Sequence, residues 1–167
     1  MNDAEFSALD HELYMREALR EAHHAGQAGE RPIGAVIVHQ GTIVGRGRAT
    51  HRERRSKIAH AETNALYAVE QYAYDHQHDG LILYTTVEPC VMCLGTIVMS
   101  EIDHIVYALP DRWIDPGQML QIPYVRRHVK HYLGGVLEAE SAALFEQYRP
   151  DELSMICGYN NALTSSR

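Results

Sequence analysis

The stretch VEPCVMC, residues 87 to 93, places two cysteines three positions apart directly after a proline, in a chain with one other cysteine, Cys157. Thiols at that spacing hold a metal or exchange electrons. Upstream lies AHAE, residues 59 to 62, with a histidine and a glutamate two positions apart. Thiolate and imidazole are good zinc ligands, and a catalytic zinc uses three protein ligands with a fourth position open for water. His60, Cys90 and Cys93 meet that count, for one Zn2+ per chain. Glu62 is close enough in sequence to point into the same pocket without being a ligand, and a carboxylate there can move protons between water and a leaving group. Two other readings stand beside this one. A redox pair would need neither His60 nor Glu62. A closed structural zinc would need a fourth ligand, and the only spare thiol, Cys157 in SMICGY, reads as a small buried hydrophobe.

Donors 30 positions apart meet only if the fold brings them together. Apolar residues from Phe6 to about Ala25 (Phe6, Leu9, Leu13, Leu19, Ala22) recur at near-helical spacing and predict one amphipathic helix, stopped by Gly26 and Gly29. GAVIVHQGTIVGRG is two β-branched runs around His39, Gln40 and Gly41, the pattern of an antiparallel hairpin. IAHAETNALYAVEQYA returns to helical spacing through Ile58, Ala61, Ala65, Leu66 and Val69, and YDHQHDG is a polar break. LILYTT reads as a buried strand, CVMCLGTIVMS as a short helix and HIVYAL as the next strand. Strands alternating with helices imply parallel pairing, right-handed crossovers and helices covering the sheet. Cys90 and Cys93 then share one face of a first helical turn, where free N–H groups and the helix dipole favour thiolate. Pro89 needs no N–H there. His60 falls near the start of the preceding helix, and parallel crossovers gather successive helix starts at the carboxyl end of the sheet. Further on, the three prolines of PDRWIDPGQMLQIPYVRR suit a long loop. VKHYL is a short strand, LEAESAALFEQYR a terminal helix and LTSSR a loose tail.

A length of 167 residues with 46% hydrophobic side chains suits one domain, with a core of about 6–148 and a C-terminal extension over 149–167. Net charge -7, from 22 acidic and 15 basic side chains, rules out a whole-surface footprint for nucleic acid. The charged start, MNDAEFSALDHELYMREALREAHH, lacks the apolar core of a signal peptide, and no later run approaches the ~20 apolar residues of a membrane span. The expectation is a cytoplasmic protein without a membrane partner. Against the acidic background, Arg46, Arg48, Arg52, Arg54, Arg55 and Lys57 form a local basic cluster. It is either a solvated loop or a clamp for an anion, whether a substrate carboxylate or phosphate or an RNA backbone. The ten histidines other than His60, His23, His24, His76, His78, His128 and His131 among them, sit in charged surroundings and read as surface residues.

Taken together, the two short stretches make H-x-E…P-C-x-x-C, the pattern of zinc-dependent nucleobase deaminases. The sequence resembles the cytidine deaminase superfamily, in particular the branch of bacterial tRNA adenosine deaminase, guanine deaminase and fungal cytosine deaminase. The likeness runs from about Leu13 to Phe145, and its most specific parts are RPIGAVIV, AHAET, LYTTVEPCVMCLGTIVMSEI and HIVYA. It implies a three-layer α/β/α domain around a mixed five-stranded sheet, antiparallel in its first hairpin and parallel later, often dimeric. The implied reaction hydrolyses the C–NH2 of a heterocyclic base to C=O and releases ammonia. Carried over residue by residue, His60, Cys90 and Cys93 match the zinc ligands and Glu62 the proton shuttle. The backbone N–H of Ala61 and a carbonyl near Glu88 match groups that hold the base edge, and Asp111 stands where relatives face the substrate. Trp113 can stack on a ring, and the alternative for both Asp111 and Trp113 is that each simply orders the Pro-rich loop.

One departure bears on the substrate. This branch usually carries an asparagine 11 positions before the zinc histidine, where its amide bonds the base, and here that position is Ala49. A buried polar edge left without its partner is disfavoured, so the contact is supplied differently or the substrate lacks it. The leading expectation is therefore an enzyme acting on a small free base, nucleoside or related heterocycle. The alternative is a tRNA adenosine deaminase, against which the net acidity and Ala49 weigh. From another class comes a non-catalytic zinc-stabilised interaction module, which would not need Glu62. A homodimer is expected because CVMCLGTIVMSEI is apolar on more than one side.

Overall fold

The β-branched and apolar runs become five strands: β1 (Gly34–His39), β2 (Thr42–Arg48), β3 (Ile82–Val87), β4 (His104–Leu109) and β5 (His131–Leu133). They lie in the order β2-β1-β3-β4-β5 in a computed structural model that describes residues 1–158. The LTSSR tail falls outside the described residues. β1 runs antiparallel to both neighbours, with Ala35 opposite Gly47 on one side and Thr85 on the other. The β3–β4 and β4–β5 pairs are parallel, with Tyr84 opposite Val106 and Ile105 opposite Tyr132. The hairpin turns at Gln40 and Gly41, both at positive φ (49° and 77°), as a two-residue turn between right-twisted strands requires.

Side chains alternate across the sheet, so each inner strand feeds two apolar layers. On one face Ala35, Ile37, Leu83 and Ile105 pack with Ala61, Ala65 and Leu66 of α3 (Ala61–Tyr67), Ala73 of α4 (Glu70–Asp75), Leu94, Ile97 and Val98 of α5 (Val91–Met99), and Val125 of α6 (Pro123–His128). On the other, Val36, Val38, Ile82, Tyr84 and Val106 pack with Phe6 of α1 (Asp3–Ser7) and with Met15 and Ala18 of α2 (His11–Gln27). The result is the expected α/β/α layering. A third apolar group joins Val87 and Leu109, at the carboxyl ends of β3 and β4, to Phe145 of α7 (Glu138–Tyr148) and Ile156 of α8 (Pro150–Ile156). Among the described residues no helix is long and apolar enough to cross a membrane.

Several local expectations need correction. The single first helix is two, because Asp10 accepts the N–H of Leu13 and so caps a new start at His11. The helix expected from Ile58 begins at Ala61 and breaks at Ala68–Val69, leaving Ile58 exposed. The Pro-rich loop contains a 3-10 turn, Pro116–Gln121, and α6. Pro116 and Pro123 stand at first helical positions, where a missing N–H costs nothing, so they start helices rather than mark a loop. Cys157 is half-buried against the third apolar group. The histidines are not all at the surface: His39 and His104 are buried because they lie on strands, with His39 bonded to the Tyr72 hydroxyl and His104 to His131. Burial holds His104 down at about 4, so it is neutral at ordinary pH.

The sheet and the site meet at Gly47. A Cβ there would sit 2.2 Å from the Ala61 carbonyl oxygen and 2.3 Å from the Ala65 nitrogen, both backbone atoms of α3. β2 can therefore approach the helix that carries Glu62 only without a side chain. Gly47→Ala is expected to push α3 outward and lower stability by about 1–3 kcal/mol, with weaker metal retention. Unfolding curves and metal content equal to those of the parent protein would show that this contact does not position α3.

Candidate active site

His60 is the N-cap of α3 and Cys90 the N-cap of α5, with Cys93 in the first turn after it. Both caps are extended residues (ψ 161° and 169°) that aim their side chains across the carboxyl end of the sheet. His60 Nδ1 lies 3.6 Å from Cys90 Sγ and 3.5 Å from Cys93 Sγ. Around a tetrahedral zinc, with Zn–S near 2.3 Å and Zn–N near 2.05 Å, the N···S edge is about 3.6 Å. The three donors fit that ion, and among the described residues no fourth His, Cys, Asp or Glu joins the group. That leaves the open position of a catalytic centre rather than the closed shell of a structural one.

The electrostatics agree with the donor chemistry. The hydrogen bond from Cys93, together with His60, holds the Cys90 thiol down at about 4, while the same bond and burial push Cys93 up. The pair thus keeps one thiolate ready for a cation. The bond to Cys90 raises His60. Glu62, in the first turn of α3, is 3% exposed, and burial pushes its carboxyl up to about 7, with negative charge at Cys90 adding to the effect. A carboxyl poised there both gives and takes a proton near neutrality.

All nine residues singled out in the sequence converge on this place. His60, Ala61, Glu62, Ala49, Glu88, Cys90, Asp111 and Trp113 line one cavity of about 170 Å3, with Cys93 fully buried beneath it. That volume lies below the ~300 Å3 of pockets for drug-sized ligands and leaves room for a group about the size of one heterocycle. Ala49 forms the wall at the end of β2, its N–H on the Ile33 carbonyl (3.0 Å). Glu88 and Asp111 shape the cavity more than they offer free carboxylates. Glu88 accepts from the Tyr132 hydroxyl (2.9 Å) and the Asp111 N–H (3.0 Å), and Asp111 Oδ1 accepts the N–H groups of Trp113 and Ile114 (3.0 Å each). Burial raises both carboxyls. Trp113, half-exposed, stands at the rim.

The structure adds residues the sequence reading missed. Arg31 and His51 line the cavity, the His51 ring standing edge-on to His60 with centroids 4.7 Å apart. The wall is completed by Glu152, Met155 and Ile156 of α8, with Glu152 Oε2 2.7 Å from Arg31 Nε. A readable signal for α8 existed: Pro150 at the first helical position, followed by Asp151 and Glu152 in the first turn. The basic cluster is divided. Arg46 is taken up by Glu17 (2.9 Å) and lies 3.7 Å from Glu21, on α2. Arg52 and Lys57 instead join Arg31 and Arg149 around a second cleft of about 390 Å3, which shares Arg31, His51, His60 and Glu152 with the cavity. Glu30 accepts the N–H groups of Arg52 (2.9 Å) and Glu53 (2.8 Å) and so fixes this edge. A small cavity thus adjoins a cleft that gathers four basic side chains together with Glu30 and Glu152.

Comparison with known proteins is consistent with this arrangement. Residues 9–109 match the model of the cytidine and deoxycytidylate deaminase zinc-binding region. A tRNA-specific adenosine deaminase of Bacillus subtilis is 34% identical over 140 residues, covering 82% of this chain and 87% of that protein. A solved structure from work on A-to-I editing by tRNA:A34 deaminases superposes with a TM-score of 0.70 at 31% identity, over 79% of this chain and 98% of that one. A guanine deaminase from Bacillus subtilis superposes with a TM-score of 0.57 at 31% identity, over 68% of this chain and 71% of that one.

Cys90→Ala and Cys93→Ala are each expected to reduce bound zinc from one per chain to a small fraction, whereas Glu62→Ala retains it. Metal analysis after dialysis checks this. Zinc loss in Glu62→Ala would make the carboxylate a ligand.

Proposed function

The chain belongs to the cytidine and deoxycytidylate deaminase zinc-binding family, and from that premise we propose that it hydrolyses the exocyclic amine of adenosine held in a transfer RNA, giving inosine and ammonia. The observation that carries this reading is the small cavity adjoining a cleft that gathers Arg31, Arg52, Lys57 and Arg149 together with Glu30 and Glu152. A base attached to a phosphate chain needs both parts, and phosphate contacts position a nucleic acid while the pocket reads the base. The sequence similarity to tRNA-specific adenosine deaminases supports the same choice.

The residues divide the work. His60, Cys90 and Cys93 hold the zinc, which supplies a Lewis acid with one open position able to activate water near neutral pH. With zinc bound, Glu62 would carry two protons in turn, one from the attacking water to a ring nitrogen and the second, from the hydroxyl so added to the base, to the amine that leaves as ammonia. The Ala61 N–H and a carbonyl near Glu88 orient the base edge, and Ile33, Val87 and Ile114 give it an apolar wall. Trp113 stacks at the rim.

A second reading, a small free base or nucleoside as substrate, is favoured by two observations. At Ala49 the wall offers a methyl group in place of an amide, and the chain as a whole carries net charge -7. An anticodon stem-loop with adenosine at the wobble position, set beside a panel of free bases and nucleosides, separates the two. Inosine in the stem-loop is expected, and it is lost in Glu62→Gln with zinc retained. Ammonia release from a free base or nucleoside, with the stem-loop untouched, would establish the second reading instead.

We further propose a homodimer through α3, α4 and α5. Tyr67, Tyr74 and Met99 border one shallow groove while 65%, 74% and 70% exposed, an apolar surface that a second copy would cover. Light scattering at micromolar concentration is expected to give twice the 18.9 kDa chain mass, and a single chain mass would remove the claim.

A further inference from the structure

At the end of the sheet opposite the active site, the three connections that lead into the parallel strands come together. His78 lies in the loop before β3, Glu101 and Asp103 in the turn before β4, and His128 at the end of α6 before β5. The donor atoms of His78, Glu101 and Asp103 all lie within 4.8 Å of one another, with His128 outside that group and beside Glu101 alone. Glu101 Oε2 is 3.7 Å from His78 Nδ1 and 4.0 Å from His128 Nε2. These separations are too long for hydrogen bonds. They are close to the ~3.4 Å N···O edge of a tetrahedron around a divalent ion with bonds near 2.1 Å.

Two independent observations point at the gap between these groups. Glu101 Oε2 is shut off from solvent and has no hydrogen-bond partner, a costly condition for a carboxylate oxygen unless a cation meets it. His128 Nδ1 lies 2.8 Å from the Tyr124 carbonyl oxygen. A carbonyl only accepts, so Nδ1 carries a proton, and in the neutral ring Nε2 presents its lone pair toward Glu101. This is the outer-shell bond that orients a metal-ligating imidazole. In a neutral imidazole that lone pair and the Glu101 oxygen would face each other with nothing between them. Among the described residues Lys130 Nζ pairs with Asp103 and not with Glu101.

We propose that His78, His128 and Glu101, with an oxygen of Asp103, form a second metal site for a divalent transition ion such as Zn2+, separate from the His60–Cys90–Cys93 centre. Two imidazoles and carboxylates select a borderline ion of this kind over Mg2+ or Ca2+. The ion ties together the three loops that set the starts of β3, β4 and β5. Its role is structural, and it stands whatever the substrate proves to be. Asp103 reaches the ion only in competition with Lys130, so the site binds more weakly than the thiolate centre.

Titration calorimetry of Zn2+ into the full chain, with its thiolate centre already loaded, tests this. One further equivalent is expected to bind, with a rise of about 5 °C in the unfolding midpoint when zinc reaches roughly a hundred times the dissociation constant. His78→Asn, which suits the positive φ of 68° there, and His128→Gln are each expected to weaken that equivalent at least tenfold. Zinc in the thiolate centre and turnover stay unchanged in both. Lys130→Gln frees Asp103 and is expected to tighten it. Absence of a second equivalent up to millimolar zinc, or equal uptake by His78→Asn and His128→Gln, would overturn the site.

Discussion

An imidazole nitrogen held 3.5–3.6 Å from two sulfurs tolerates little relative movement of the helices that carry them, because a zinc–ligand bond changes steeply over tenths of an ångström. That constraint propagates outward. α3 and α5 start at the carboxyl end of the sheet because each follows a strand, β2 and β3, running in the same direction. β1 lies between those strands and is buried along its whole length, which fixes their spacing. Asn64 then locks the start of α3, its amide donating to the Arg48 carbonyl (2.7 Å) and the Thr50 hydroxyl (2.9 Å). The glycine at position 47 is the backbone's answer to the same requirement.

The metal donors and the layered sheet were legible in the sequence for a shared reason. Period-two and continuous apolar runs report burial on one or both faces, and ligand spacing reports chemistry; both are local signals. What escaped was set by tertiary context. Nothing local at His104 tells that its strand lies under α1, or at Arg31 that its side chain turns toward α8. The prolines misled because one residue type marks both a loop and the first turn of a helix. Asp10 broke the first helix in a stretch whose apolar spacing alone runs straight through it.

The charge distribution shows why totals are a poor guide to a partner. Net charge -7 coexists with a cleft lined by Arg31, Arg52, Lys57 and Arg149, and the field at a cleft mouth depends on nearby charges more than on the sum. Glu30 faces that cleft but spends its carboxylate on two backbone N–H groups. Arg46, by contrast, counts toward the basic total and contributes nothing to the cleft, being held by α2.

The place of α8 along the chain sets an order of assembly during synthesis. Every donor of the thiolate centre has been made once Cys93 is added, yet the wall formed by Glu152, Met155 and Ile156 arrives about sixty residues later. A nascent chain can thus gather its thiolates and imidazole around an ion while the chamber above them is still open. The enclosure that sets what may enter is finished last, as the segment beyond α7 emerges from the ribosome and docks on Val87 and Leu109.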